Sequence, residues 1–159
     1  MEIERKFLIN SIPTQLTSYP CRNLEQAYLC TDPVVRIRKD NERYEITTKS
    51  SGALSRSETT MPLSKEAYEQ LKNKSEGNII TKNRYEIPFG AYVIEFDCFL
   101  GSFLGLFYAE VEFPSEEEAL SFVPPKWFGK EVTYLFEFTN AALSTLAPKD
   151  IPSFLETHR

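Results

Sequence analysis

Met1-Glu2-Ile3-Glu4-Arg5-Lys6-Phe7-Leu8 spaces its side chains with a period of two. In a β-strand, successive side chains point to opposite faces, so Glu2, Glu4 and Lys6 share one face and Ile3, Arg5 and Phe7 the other. Same-face neighbours lie roughly 6.6 Å apart. Two carboxylates at that spacing converge on one hard cation or flank a pair of them. An ammonium one step further along suits an anion carried by that metal. Taken alone, such a strand also reads as the polar face of an exposed sheet. The pattern gains weight because it returns in most later strands.

Working outward, residues 24–30 and 34–39 are strand candidates, separated by the turn Thr31-Asp32-Pro33. The second of them puts Arg36 and Arg38 opposite Val35 and Ile37. A hairpin turn at Asp40-Asn41-Glu42 leads to 43–49, with Glu45, Thr47 and Lys49 on one face. Residues 54–61 carry Arg56 and Glu58 together. A helix is expected over 64–74, with Ser64 as N-cap, Glu66 in its first turn and Gly77 ending it. Strands follow at 79–87, with Lys82, Arg84 and Glu86 on one face, and at 92–99, with Glu95 and Asp97 on one face. Residues 106–113 alternate most cleanly, with Tyr108, Glu110 and Glu112 against Phe107, Ala109, Val111 and Phe113. Ser115-Glu116-Glu117-Glu118 is a capping box opening a short helix that Pro124-Pro125 stops. Residues 126–133 read as a loop anchored by Trp127, 140–147 as a last helix, and 148–159 as a tail with little pattern. About eight short strands joined mostly as hairpins give an all-β-dominated α+β fold: an eight-stranded antiparallel barrel with a few flanking helices.

Composition bounds the rest. The 159 residues suit one domain with a proper core, and 42% apolar with 13% aromatic content excludes a disordered chain. A net charge of −5 argues against nucleic-acid and anionic-membrane partners, and no apolar run reaches the roughly 18 residues of a membrane span. Cys21, Cys30 and Cys98 form no CxxC, and no secretory leader precedes Met1-Glu2, so a reduced, cytoplasmic protein is expected. The sole histidine, His158, leaves no room for a histidine-based metal site or triad.

The charged faces therefore carry the chemistry. Arginine recurs in close pairs, and the acids come as E-x-E near both ends of the chain, which barrel closure would bring together. Such a lining suits a polyanion with a divalent metal. Guanidinium groups grip phosphate oxygens bidentately, with charge-assisted bonds of about 1.5–3 kcal/mol each. Carboxylates hold Mg²⁺ or Mn²⁺.

In order along the chain, eight segments resemble the CYTH domain of the triphosphate tunnel metalloenzyme family. They are Glu2-Ile3-Glu4-Arg5-Lys6, Val35-Arg36-Ile37-Arg38, Thr47-Thr48-Lys49, Arg56-Ser57-Glu58, Lys82-Asn83-Arg84-Tyr85, Glu95-Phe96-Asp97, Ala109-Glu110-Val111-Glu112 and Gly129-Lys130-Glu131-Val132-Thr133. The resemblance covers residues 1–147 as one domain. It implies a triphosphate tunnel and a metal-dependent triphosphatase acting on a small triphosphate, with Mg²⁺ or Mn²⁺ as cofactor. It further implies Glu2, Glu4, Glu110 and Glu112 as metal ligands, and Lys6, Arg36, Arg38, Lys49, Arg56, Lys82 and Arg84 as phosphate ligands. Glu4, Lys49, Glu58 and Asp97 form the implied catalytic set, with Glu95 a further metal or water-positioning candidate. Thr60 stands where the family often has a second acid after Glu58, which weakens a second metal site. No base platform is evident outside the lining, so inorganic tripolyphosphate is the favoured substrate. Thiamine triphosphate hydrolysis, adenylate cyclase activity and a non-catalytic polyphosphate-binding module remain alternatives. Oligomeric state is left open.

Overall fold

Residues 1–158 are described by a computed structural model. Ten strands follow in chain order: β1 (Glu2–Ile9), β2 (Cys21–Thr31), β3 (Val34–Asp40), β4 (Arg43–Lys49), β5 (Ser55–Arg56), β6 (Glu58–Pro62), β7 (Glu76–Phe89), β8 (Tyr92–Phe99), β9 (Phe107–Glu112) and β10 (Phe128–Glu131). Four helices accompany them: α1 (Lys65–Lys74), α2 (Glu116–Ser121), α3 (Asn140–Thr145) and α4 (Ile151–His158). All pairings are antiparallel, in the order β10-β1-β9-β8-β7-β2-β3-β4-β6, and β5 pairs with β1. Ser57 alone separates β5 from β6. The segment therefore links β6, one end of the path, to β1, next to the other end, with Arg56 opposite Glu2 and Glu58 opposite Lys49. Eight staves curl round a polar interior, as the alternation predicted, with β5 and β6 sharing one stave.

The apolar faces point outward and are covered there. Ile3, Phe7, Ile94, Phe96, Val111 and Phe113 form one buried cluster under α2 and Trp127. Trp127 packs 4.7 Å from Phe128 and 5.7 Å from Phe96, the anchoring role expected of it. Arg5, on this outer face, holds Glu131 and donates to the carbonyls of Ala119 and Phe122, tying β1 to β10 and α2. Ala27, Ile37 and the fully buried Tyr68 of α1 form a second cluster. A third, with Tyr28, Ile80, Phe99, Tyr108, Phe138 and Leu143, closes one end of the barrel beneath α3 and α4.

Three expectations need correction. Residues 126–133 are not only loop: β10 extends the sheet beside β1, with Phe7 opposite Glu131. The tail is not patternless, since α4 buries Ile151 and packs Phe154 and His158 on Phe138. Helix α1 has the expected Ser64 cap, whose hydroxyl accepts from Ala67 N at 3.0 Å, but it ends at Ser75. Gly77 instead starts β7 at φ +81°, where an added Cβ would lie 2.1 Å from the Ser144 carbonyl oxygen. Only glycine permits that approach of α3 to the sheet. No helix of the described residues is long and apolar enough to cross a membrane.

Candidate active site

The barrel encloses a polar cavity of about 380 Å³. Of the residues singled out in sequence, Glu2, Glu4 and Lys6 of β1 line it, with Arg36 and Arg38 of β3 and Lys49 of β4. Arg56, Glu58, Arg84, Glu95, Glu110 and Glu112 complete that set. Register explains the convergence: Glu4 faces Glu112, Lys6 faces Glu110, and Glu95 faces Glu110 on the next strand pair.

Lys82 and Asp97 are the exceptions. Both point inward yet do not reach the cavity, and both are wholly buried. Lys82 Nζ lies 2.8 Å from Asp97 Oδ2, and Arg84 grips Asp97 through Nε at 2.7 Å and Nη2 at 2.9 Å. Asp97 is thus a counter-charge inside the wall, because Phe99, Asn140 and the α3 segment cover that level of the barrel.

The lining is unequally satisfied. Glu2 is held by Lys49 Nζ at 3.0 Å and Arg56 Nε at 3.2 Å. Burial works against its charge, but a hydrogen bond with Glu58 and those two cations bring its pKa down to about 2. Glu4 has no such partner. Burial, then the charges of Glu110 and Glu2, raise it to about 8. Glu110 stays ionised despite burial because Lys6 and Arg84 lie 3.7 and 3.8 Å away, yet its Oε1 has no hydrogen bond. The arginines of β3 have less. Arg36 donates only to the Thr47 hydroxyl, at 3.3 Å. Arg38 donates to Gln26 at 3.3 Å and comes within 3.9 Å of Glu45. The Nε atoms of both are buried without partners. Burial, with the like charges of Arg36 and Arg84, lowers Arg38 to about 9.

Sequence reading did not assign Arg22, Tyr28, Val34 or the Thr139–Ala141 start of α3 to the lining, and it placed Glu45 on the inward face without a role. Arg22 sits where β2 begins and contacts Asp40, Glu86 and Glu95. Its signal was the parity it shares with Tyr28. Tyr28 is the one aromatic among the lining residues.

Among the described residues, no three His, Cys, Asp or Glu side chains form a ready-made cation site. The donor set nevertheless fits a hard cation: four carboxylates on adjacent strands, one with an orphaned buried oxygen and one raised to about 8 by burial and its neighbouring acids.

An inorganic triphosphatase of Nitrosomonas europaea is 40% identical over 153 residues, spanning 92% of this chain and 99% of that one. Another, from Acetivibrio thermocellus, is 35% identical over 136 residues, or 83% of this chain and 85% of its own length. The chain belongs to the inorganic triphosphatase family. A crystal structure of an inorganic triphosphatase matches with a TM-score of 0.70 and 35% identity, covering 93% of this chain and 97% of the other. A Hippeastrum protein, a putative adenylyl cyclase with a dominant triphosphatase activity, matches at a TM-score of 0.59 over 76% of this chain; at 12% identity it speaks for the tunnel fold alone. No family model matches the chain.

Proposed function

We propose that this chain hydrolyses inorganic tripolyphosphate to phosphate and pyrophosphate, with Mg²⁺ or Mn²⁺, as a CYTH-type tunnel enzyme. The observation that carries the reading is the pair Arg36–Arg38: two neighbouring guanidinium groups turned into a cavity, with their Nε atoms unpartnered and no carboxylate in hydrogen-bond reach. Buried cations in that state suit a polyanion that brings its own oxygens. The names of the family relatives, inorganic triphosphatases, support the same substrate.

Arg36, Arg38 and Arg84 bind and orient the phosphate chain, and Lys6 and Lys49 add point charge at either side. These fixed cations stabilise charge that develops on the transferring group and on leaving pyrophosphate. Glu2, Glu4, Glu110 and Glu112 would hold the divalent cation. When bound, it supplies Lewis-acid stabilisation at phosphate oxygens. Glu58 stands 3.5 Å from Lys49 at the cavity edge, and burial beside Glu2 raises its carboxyl above the ordinary range. We assign it to orienting the attacking water. The three free cysteines support a reducing, cytoplasmic setting.

Phosphate release from tripolyphosphate, thiamine triphosphate, ATP and pyrophosphate, with Mg²⁺ and with Mn²⁺, tests the reading. Tripolyphosphate is expected to exceed ATP by at least about tenfold in kcat/KM, roughly 1.4 kcal/mol of transition-state binding. Equal or better turnover of ATP or thiamine triphosphate overturns the substrate. Tight binding of tripolyphosphate without turnover makes the chain a binding module.

A further inference from the structure

We infer that Lys82 is a positioning residue: it never touches the phosphates, but cancels the charge of Asp97 so that Arg84 meets the substrate as a cation. The inference rests on the reading of Arg84 as a phosphate ligand.

The geometry is a relay of three side chains, Arg84, Asp97 and Lys82. Arg84 lines the cavity, and its Nε and Nη2 are both taken by Asp97. Such a fork-to-fork pair fixes the guanidinium plane and also neutralises it. Glu95 at 3.1 Å and Glu110 at 3.8 Å also approach it, but Arg22 and Lys6 approach those two acids in turn, at 3.5 and 3.7 Å. Left with Asp97 uncancelled, Arg84 would offer an incoming polyanion no net attraction. Lys82 changes the sum. Its Nζ sits 2.8 Å from Asp97 Oδ2, the oxygen that also receives Arg84 Nη2, and returns the Lys82–Asp97–Arg84 triad to a single positive charge. That charge is expressed at Arg84, because Lys82 and Asp97 have no exposed surface.

Lys82 is in turn fixed by the α3 segment that closes this level of the barrel. Its Nζ is 3.4 Å from Asn140 Oδ1 on α3 and 5.2 Å above the Phe99 ring. The ammonium is enclosed by a carboxylate, an amide and an aromatic face. A lysine that bound phosphate directly would need a free N–H pointing into the cavity, and Lys82 does not line it.

The two roles separate by charge balance. Lys82→Met removes the cation and leaves Asp97 neutralising Arg84. Dissociation of tripolyphosphate, measured by titration calorimetry in EDTA, should weaken by about tenfold. In turnover, KM should rise more than kcat falls. Lys82→Met combined with Asp97→Asn deletes both buried charges and frees the Arg84 charge again. Its affinity should return to within about threefold of wild type. A direct phosphate contact by Lys82 could not be restored in this way. A double variant weaker than that limit, or a single variant that binds like wild type, overturns the inference. Should Lys82→Met fail to fold, as thermal melts would show, the double variant decides alone, since replacing a buried ion pair by neutral groups is well tolerated. Wild-type turnover of tripolyphosphate tests the function itself and is independent of this outcome.

Discussion

Strands β9 and β3 lie four positions apart around the eight staves, on opposite sides of the cavity, and their charges are treated differently. On the β1–β9 side two of the four inward acids have cations from the chain itself: Glu2 has Lys49 and Arg56, and Glu110 has Lys6 and Arg84, while Glu4 is left among like charges. On the β3 side, Arg36 and Arg38 make do with a hydroxyl, an amide and one distant carboxylate. Glu2 and Glu110 are compensated before any ligand arrives, whereas neither arginine of β3 has a carboxylate in hydrogen-bond reach. Stability accounts for the first arrangement. It does not account for the second, because uncompensated like charges destabilise the compact state. The arginine side is therefore where binding of an anion is written most directly.

Removing an arginine should break the comparison most severely. Arg38→Ala deletes the charge-assisted phosphate contact proposed above, worth roughly 1.5–3 kcal/mol, about ten- to a hundredfold in kcat/KM. Extra Mn²⁺ should not restore it. Glu112→Gln attacks the other side, keeping size and removing charge. The Mn²⁺ concentration for half-maximal rate should rise about tenfold, the cost of one charged ligand, and excess Mn²⁺ should recover part of the rate. A metal titration in which both variants recover equally would mean that the two sides do not divide the work.

The same contrast extends to the free protein. Arg38→Ala relieves repulsion from Arg36 and Arg84, so its melting temperature should rise by roughly 2–4 °C, the shift expected for about 1 kcal/mol in a chain of this size. A fall would show that Gln26 and Glu45 hold Arg38 more firmly than their distances imply. On the acid side, Glu4 titrates near 8 when folded against a usual 4.5. Between those values the folded state binds more protons than the unfolded one, so metal-free stability should fall as pH rises from about 4.5 to about 8 and level off above. Glu4→Gln should flatten that slope, as denaturant midpoints across the range would show. An unchanged slope would place the cost elsewhere.

Much of this contrast was legible beforehand, for a physical reason. Alternation assigns faces, and Glu2-Ile3-Glu4, Val35-Arg36-Ile37-Arg38 and Ala109-Glu110-Val111-Glu112 alternate without ambiguity. Depth is another matter. Lys82 and Asp97 have the inward parity of true lining residues, but α3 seals their level of the barrel, and no local pattern announces which strand positions a later helix will cover. Arg22 escaped for the opposite reason. It shares a face with Leu24, Gln26 and Tyr28, and an apolar residue at Leu24 hides the charged stripe. Strand β10 has only four residues and little alternation, so its pairing with β1 is a tertiary fact. Helix α4 did carry a signal: Ile151, Phe154 and Leu155 have helical spacing, and a proline at position 152 is tolerated in a first turn.

The smallest expected effect sharpens the comparison where the two sides meet. Thr60 of β6 lines the cavity next to Glu58, and its hydroxyl is 2.8 Å from that of Thr47, which also receives Arg36. This stave carries a hydroxyl pair where a carboxylate would extend the acid side toward the arginines. Thr60 is exposed, so Thr60→Glu needs no repacking and places its charge at the open edge of the cavity. Two outcomes compete there. If the new carboxylate joins the acids proposed to hold the metal, the metal concentration for half-maximal rate should fall by about two- to fivefold, under ~1 kcal/mol, as befits an exposed charge. If it pairs with Arg36 instead, the metal titration stays put and KM for tripolyphosphate rises. We expect the first, because Arg36 already has the Thr47 hydroxyl while the acid side lacks a ready-made third ligand. A folded variant with an unmoved metal titration would assign β6 to the arginine side and confine the cation to β1 and β9.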